Sequence, residues 1–374
     1  MALSKIDVAN MVENQMPQAN VADNINFRNI IINGDMSIAQ RSTSASSITS
    51  SGYHSCDRWQ LSVGTMGTWT QSQSTDVPTG QGFAKSTKLD CTTADASPAS
   101  GDVLVFAQYI EGQNLQYLKK GTSSAESLTC SFWVKSNKTG TYILELKDDN
   151  NRTINKSYTV SSADTWEKKT ITYEGDTTGT IDNDNTTGLE LNFWLGAGSD
   201  LTSGTLQTSW GSKVNANRAV GQVNLADSTS NEWYVTGVQL EVGETASDFE
   251  FLPNDINKNR CLRYFYPILP ANNTDKYFAT GYYYSSTGFR LIIETPVLMR
   301  AQPTIEQNSG TGGLRIYRNG GYDEMEANFS IQGTPSNFNF IPMLNSTNIS
   351  GTGGQTGQLY NLNNGNYIYL NAEL

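Results

Sequence analysis

The chain has 374 residues, a net charge of −11 at pH 7 and only 37% hydrophobic residues, while Gly and Tyr are frequent. This length predicts two domains with extensions, and the composition is typical of β-rich, turn-rich proteins. The acidic balance and the lack of basic clusters exclude nucleic-acid phosphate as the expected partner. No apolar run approaches the roughly 20 residues of a membrane helix, and the first residues lack the apolar core of a signal peptide. Neither membrane insertion nor Sec-type export is therefore expected.

Residues 1–27 are predicted to be a unit of their own. Ser4 and Asp7 resemble a helix capping box, and Pro17 would end such a helix. The segment is too short to bury a core. It is either a frayed tail or a docking peptide that becomes ordered against another protein, and we favour the docking peptide.

Residues 28–252 alternate short strand patterns with turn clusters. The predicted strands are 58–63, 67–72, 103–110, 127–135, 141–147, 156–160, 166–174, 188–195 and 232–242. Short strands without helical patterns between them predict an antiparallel β-sandwich. The segment 198–223 is too long for a tight hairpin, which favours a functional excursion.

The segment from Glu232 to Val242 is predicted to be the closing strand of this sandwich. Apolar and polar residues alternate along it, with one slip at Gly237 that a β-bulge would correct. Alternation of this kind is typical of a half-buried strand.

Residues 253–374 begin with a break in the β pattern. Residues 254–265 predict a short linking helix with Asn254 as its cap. The residues predicted to face inward on it are Ile256, Leu262 and Phe265. From residue 276 the strand pattern resumes between glycine-rich turns, which predicts a smaller C-terminal β-sandwich domain.

Histidine and cysteine give little sign of catalysis. His54 is the single histidine, so a multi-histidine metal site within one chain is excluded. A loop histidine is favoured over a nucleophile pair with the nearby Cys56. Cys130 lies in an apolar strand pattern and is predicted to be a buried thiol. A Cys56–Cys91 disulfide stays open. No cofactor is expected.

Carboxylates are abundant, but no pattern among them assigns a site. A glycosidase pair needs two carboxyl groups about 5 to 9.5 Å apart, a distance that the sequence alone does not give. Glu241 and Glu244 flank the end of the closing strand and are predicted to be structural. The runs Asp148–Asn151 and Asp182–Asn185 carry oxygen ligands suited to calcium. Neither has the EF-hand spacing, so solvated turns are favoured.

Aromatic residues in the last hundred positions are the more informative signal. A tyrosine ring offers a flat apolar face and a polar edge, which suits sugars and protein interfaces alike. Alternation places Tyr283 opposite to its neighbours, so part of the set should be exposed. The candidate ligand-contacting residues are Tyr282, Tyr284, Tyr317, Tyr322, Tyr360 and Tyr367. Packing within the domain is the competing explanation for most of them.

Several segments resemble parts of phage tail-fibre and related virion proteins. FRNIIINGDMSIAQR (27–41), followed by the triplet at 57–59, resembles the opening of a domain common in these proteins. The segment 232–251 resembles the closing strand of that domain, and NRCLRYFY (259–266) resembles the helix that follows. PVLMRAQPTI (296–305) is similar to a segment in the C-terminal parts of the same proteins.

The resemblance implies a jelly-roll sandwich similar to carbohydrate-binding modules, on a trimeric fibre or appendage. It also implies adhesion and assembly, and it supplies no catalytic residue. The sequence lacks a shaft of repeats or sustained heptads. A complete receptor-reaching fibre and a short appendage on a tail or capsid therefore both stay open.

The sequence leads us to expect a phage virion structural protein that is not an enzyme. Residues 1–27 would attach it to other virion proteins after assembly in the host cytoplasm. The C-terminal domain would contact a host-surface glycan or receptor, and a homotrimer would add avidity. Two alternatives are a capsid decoration or head-fibre protein and a tail-spike enzyme that degrades polysaccharide. The lack of β-helix repeats counts against the enzyme.

Overall fold

The computed structural model describes residues 27–271, 277–308, 313–325, 328–333, 338–346, 349–363 and 365–374. Strands dominate these ranges, and the helices in them are short, so the predicted all-β class is confirmed. None of the helices described is long and apolar enough to cross a membrane. Apart from Phe27, the predicted docking unit lies outside the described residues.

The first part of the fold contains 11 strands within residues 44–242. They are β1 (Ser44–Tyr53), β2 (Gln60–Ser74), β3 (Ser86–Thr93), β4 (Val103–Glu111), β5 (Leu128–Ser136), β6 (Gly140–Asp148), β7 (Arg152–Val160), β8 (Glu167–Tyr173), β9 (Thr187–Ala197), β10 (Gly211–Ser212) and β11 (Glu232–Val242). Helix α1 (Ser199–Thr202) and the 3-10 turns Gly112–Asn114, Gln116–Leu118, Asn215–Asn217 and Leu225–Asp227 lie between them.

The long strand β2 converts one antiparallel sheet into a sandwich. Residues 60–65 of β2 pair with β4, and residues 68–74 pair with β3. The chain of hydrogen-bonded neighbours runs β10-β7-β6-β9-β4-β2-β3-β11-β5-β8, with β1 beside β2. Rings from the two layers meet in the core, since Phe132 on β5 lies 5.0 Å from Phe193 on β9. This arrangement is the predicted jelly-roll β-sandwich. The strands predicted at 58–63 and 67–72 are parts of the single strand β2.

The closing strand β11 is buried on both faces. The prediction that only one of its faces is buried is therefore wrong. The stretch before β1 crosses one side of it, where the Ile30 amide donates to the Leu240 carbonyl at 2.9 Å. The stretch that leaves β11 folds back beside it, where Ser247 donates to Glu241. The predicted bulge is confirmed, because the pairing of β11 with β5 shifts between Thr236 and Gln239.

The long segment 198–223 covers the outer face of β4, β9 and β6. Leu201 and Ala219 pack there against Trp194, which is itself almost fully buried. Arg218 from this segment forms a bidentate ion pair with the buried Glu145 on β6, both bonds being 2.7 Å long. The excursion therefore closes one face of the sandwich.

Helix α2 (Asn254–Leu262) separates the two parts and is shorter than predicted. Pro253, not Asn254, occupies the N-cap position, and no side chain caps the helix. Its buried residues are Asn257, Cys261 and Leu262, so Ile256 does not face the core as expected. Phe265 is fully buried but already belongs to the next strand.

The second part holds a small and a larger antiparallel sheet. Its strands are β12 (Phe265–Leu269), β13 (Tyr277–Ser285), β14 (Gly288–Glu294), β15 (Thr304–Gln307), β16 (Leu314–Arg318), β17 (Gly321–Met325), β18 (Ser330–Ile331), β19 (Phe340–Asn345), β20 (Thr356–Asn361) and β21 (Ile368–Asn371). In the described residues the orders are β12-β21-β15 and β17-β16-β20-β13-β14-β19-β18. A separate apolar core, which includes Tyr283, Phe289 and Leu359, lies on the inner side of the larger sheet.

The end of the chain returns to the first sandwich. Glu373 forms ion pairs with Arg58 and Arg41, and the Arg58 guanidinium lies 3.5 Å above the ring of Tyr264. Arg263 forms a bidentate ion pair with the buried Glu111 at 2.8 Å on both sides. These contacts join the two cores through buried, paired charges.

Candidate functional site

The outer face of the seven-stranded sheet carries an exposed group of tyrosines. Residues on its strands alternate, with Ile316 and Leu359 facing the core and Tyr317 and Gln358 facing outward. The register aligns the outward residues in rows across the strands. One row reads Tyr322, Tyr317, Gln358 and Thr280, and the next reads Glu324, Arg315, Tyr360 and Tyr277.

Four of these residues, Tyr277, Tyr317, Tyr322 and Tyr360, form what we call the tyrosine face. Tyr317 lies at its centre, with ring centroids 5.2 Å from Tyr360, 5.6 Å from Tyr322 and 5.9 Å from Tyr277. Tyr277 is 54% exposed and Tyr322 is 47% exposed. The rings therefore support one another while leaving aromatic surface open to solvent.

An open depression of about 420 Å³ lies beside the tyrosine face. Tyr317 forms one wall, and the rest of the described lining is polar or small: Thr280, Arg318, Asn319, Thr356, Gly357 and Gln358. Hydroxyl, amide and guanidinium groups thus border an aromatic wall. A saccharide needs this combination, because its C–H faces stack on rings and its hydroxyls need hydrogen-bond partners.

The charged groups around the tyrosine face are paired. Arg315 donates to Glu324 at 2.7 Å, and its guanidinium lies 4.2 Å from the ring of Tyr322. Below the face, burial opposes ionisation of Asp323, but hydrogen bonds from Arg318 and Tyr283 outweigh it and hold the pKa of that carboxyl below its usual range. These ion pairs fix the surrounding strands and balance the charges of the arginines beside the aromatic rings.

The structure brings only part of the predicted tyrosine set together. Tyr317, Tyr322 and Tyr360 form the face with Tyr277, which sequence reasoning did not select. Tyr282 is exposed on β13 and pairs in register with Thr356, but it is not among the described residues that line the depression.

Two other candidates lie elsewhere. Tyr284 packs under Arg290, 4.6 Å from its ring centroid. Tyr367 precedes β21 in the small sheet and stacks on Tyr369 at 4.6 Å. Neither forms part of the tyrosine face. The predicted orientation of Tyr283 is confirmed, since its side chain is fully buried.

The histidine, the cysteines and Glu241, which the sequence analysis also considered, are buried or hydrogen-bonded within the fold. His54 lies in the loop between β1 and β2, and burial lowers its pKa. Cys56, Cys91 and Cys130 are free and buried, as predicted for Cys130. Glu241 accepts hydrogen bonds from Gln239 and Ser247.

The run Asp148–Asn151 lies beside Thr180, two residues before the second Asp/Asn run, and the two runs form no metal site in the described residues. Asn150 donates to the Thr180 carbonyl at 3.0 Å, and Asp148 pairs with Lys120. In the described residues, no group of three or more His, Cys, Asp or Glu side chains is arranged to hold a metal ion.

Comparisons with known proteins give weak similarities. The chain matches no protein-family model and no curated protein. Among solved structures, the enzymatically active domain of tailspike protein 4 of bacteriophage CBA120 shares 13% identity at a TM-score of 0.31, over 58% of this chain and 22% of that one. A putative sugar binding protein from Bacteroides thetaiotaomicron shares 11% identity at a TM-score of 0.34, over 57% of this chain and 100% of that one. A family 11 carbohydrate-binding module of Clostridium thermocellum shares 14% identity at a TM-score of 0.25, over 55% of this chain and 98% of that one. At these scores the matches assign no function.

Proposed function

We propose that this protein is a structural subunit of a phage virion, a tail fibre or short tail appendage, that binds saccharide on the host surface. The tyrosine face beside its polar depression is the observation that carries the proposal. The sequence resemblance to virion proteins supports the location on the particle, with residues 1–27 attached to other virion proteins.

Binding without cleavage fits the chemistry of this surface. The described lining of the depression contains no carboxylate. Asp323 and Glu324, on the strand next to β16, are each paired with an arginine. A glycosidase needs one carboxyl group poised as an acid and a second as nucleophile or base, about 5 to 9.5 Å apart across the bond to be cleaved. Adhesion therefore suits this surface better than hydrolysis.

A homotrimer fits this role for a physical reason. An open, shallow surface buries little of a ligand, so a single site binds weakly. Several such sites on one rigid assembly raise the overall affinity without any new contact. We therefore propose that the chain acts as one subunit of a multivalent particle appendage.

The central ring supplies the test. Tyr317→Ala removes the residue that contacts the other three tyrosines, and we expect saccharide affinity to fall about tenfold, equivalent to ~1.4 kcal/mol. Binding of the purified chain to an array of bacterial surface polysaccharides measures this, and recovery of the saccharide at full length checks that it is not cleaved.

Tyr367→Ala is the matched control, because it removes an equivalent ring outside the tyrosine face and should leave binding unchanged. Equal affinities of the two variants, or release of oligosaccharides, would contradict the proposal.

A further inference from the structure

A second open site lies where helix α2 meets the first sandwich, away from the tyrosine face. It is a cleft of about 680 Å³, within the ~300–1,000 Å³ range typical of small-molecule sites. The turn at Gln116–Leu118 forms one side, and α2 forms another. The rim carries three strongly exposed side chains, Phe27, Tyr117 and Leu298.

One of the two positive charges in this cleft has no ion-pair partner among the described residues. Among the described residues that line it, the only charged ones are Arg260 and Arg263, and none is acidic. Arg263 is neutralised by its bidentate ion pair with Glu111. Arg260 forms no ion pair in the described chain, and its bond to the Asn29 carbonyl is long, at 3.4 Å. The cleft thus carries one net positive charge in a protein with a net charge of −11.

Glu250 attracts Arg260 electrostatically but forms no ion pair with it. Glu250 uses one carboxylate oxygen to accept the Phe27 amide and the other to accept the Asn29 amide at 3.0 Å. Burial lowers the pKa of Arg260, and the attraction of Glu250 does not offset this effect. A half-buried guanidinium that has no carboxylate partner and only one long hydrogen bond is costly, and an anion from outside would lower that cost.

The remaining lining identifies the kind of anion. Aromatic rings of Phe27, Tyr109, Tyr117 and Tyr264 share the cleft with the amides of Gln113 and Asn114. Rings suit the C–H faces of a sugar, and amides suit its hydroxyls. A guanidinium binds a carboxylate with two parallel hydrogen bonds.

We propose that this cleft binds a carboxylate-bearing saccharide, with Arg260 holding the carboxylate and Tyr117 stacking on a sugar ring. The site is independent of the proposed function, and it would stand if the tyrosine face bound nothing. A structural role is the competing explanation for Arg260, because a cation in the last turn of α2 interacts favourably with the helix dipole.

Isothermal titration of the full chain with tri-galacturonate tests the proposal. Neutral galactotriose and sodium sulfate serve as comparison probes. We expect the unmodified chain to bind tri-galacturonate more tightly than either probe, and Arg260→Gln to weaken that binding at least tenfold. Tyr117→Ala should weaken it by a smaller factor.

Two variants separate this site from other effects. Lys258→Gln removes an exposed positive charge from the same helix and should leave the affinity unchanged. Tyr317→Ala, which tests the tyrosine face, should also leave tri-galacturonate binding at the cleft unchanged. Absence of binding, equal losses in Arg260→Gln and Lys258→Gln, or binding of sulfate as tight as that of the saccharide would each overturn the proposal.

Discussion

The guanidinium of Arg58 is buried among groups from both parts of the molecule. It pairs with Glu373, donates to the Tyr109 carbonyl at 2.6 Å and lies above the ring of Tyr264. Its side chain is 1% exposed and that of Glu373 is 4% exposed, so water does not replace either partner. A buried charge that loses its partner is far more costly than an exposed one, which makes this pair a sensitive point of the junction.

Glu373→Ala should therefore destabilise the protein strongly. Removing the carboxylate leaves the buried Arg58 without its ion-pair partner, and we expect the free energy of unfolding to fall by about 3–5 kcal/mol. Urea denaturation at pH 7, followed by tryptophan fluorescence, measures the loss. Glu324→Ala is the control, since that carboxylate is 48% exposed and its pairing with Arg315 should contribute at most about 1 kcal/mol. Equal stabilities of the two variants would show that Glu373 has no such role.

At the scale of single elements, the bulge in β11 depends on Gly237. Its φ is +63°, a left-handed conformation that residues with a Cβ avoid. A Cβ at this position would also lie 2.5 Å from the Phe83 ring. The bulge thus needs glycine both for the backbone angle and for the space that Phe83 occupies.

Gly237→Ala should destabilise the sandwich more than a substitution with backbone strain alone. Gly221→Ala is the matched control, because φ there is +86° but nothing lies within 4 Å of the added Cβ. We expect about 1–2 kcal/mol of strain in both variants and a further loss from the Phe83 contact only at Gly237. Thermal unfolding of both variants measures the difference. If Gly221→Ala is equally destabilised, the Phe83 contact is irrelevant.

Some elements could be predicted from local patterns, and others could not. Apolar strands such as β4, β6 and β9 were predicted within a few residues, because alternation and turn signals lie within each segment. Strands β1 and β3 are rich in Ser and Thr, so their apolar periodicity is too weak to detect, and their pairing with β2 determines them. The burial of β11 on both faces depends on distant segments and is not encoded in its own alternation.

The candidate site illustrates the same division. Alternation correctly placed Tyr283 on the opposite side of its strand from Tyr282 and Tyr284, because that depends on neighbours in one strand. The meeting of Tyr277, Tyr317 and Tyr360 requires β16, β20 and β13 to lie side by side, and β16 and β13 are separated along the chain. Strand order of this kind arises from tertiary packing. Tyr367 was grouped with the others by composition alone, and the small sheet places it elsewhere.

At the scale of the whole molecule, the segments that resemble virion proteins converge on the junction. Asn33, in the opening segment, accepts hydrogen bonds from Trp59 and Ile38. Its amide donates a hydrogen bond to the side chain of Asn257 on α2. Arg300, in the last segment, donates to the carbonyls of Asn185, Ala372 and Glu373. The tyrosine face lies outside these segments, whereas eight of the fourteen described residues that line the cleft lie within them. The resembling segments therefore contribute to the junction and to the cleft, and the tyrosine face is built from other parts of the chain.

Attachment and adhesion should accordingly be separable. Under the proposed function, a chain without residues 1–26 keeps both sandwiches and the tyrosine face but loses the segment that docks to the particle. We expect purified particles from cells that make only this truncated chain to contain it at less than a tenth of the normal amount, as measured by quantitative immunoblotting. The purified truncated chain should bind saccharide like the full chain.

Tyr317→Ala should show the opposite behaviour, with normal incorporation and weak adsorption to host cells. Normal incorporation of the truncated chain would assign attachment to another surface, and the buried junction around Glu373 would then have to transmit load between a different mounting point and the tyrosine face.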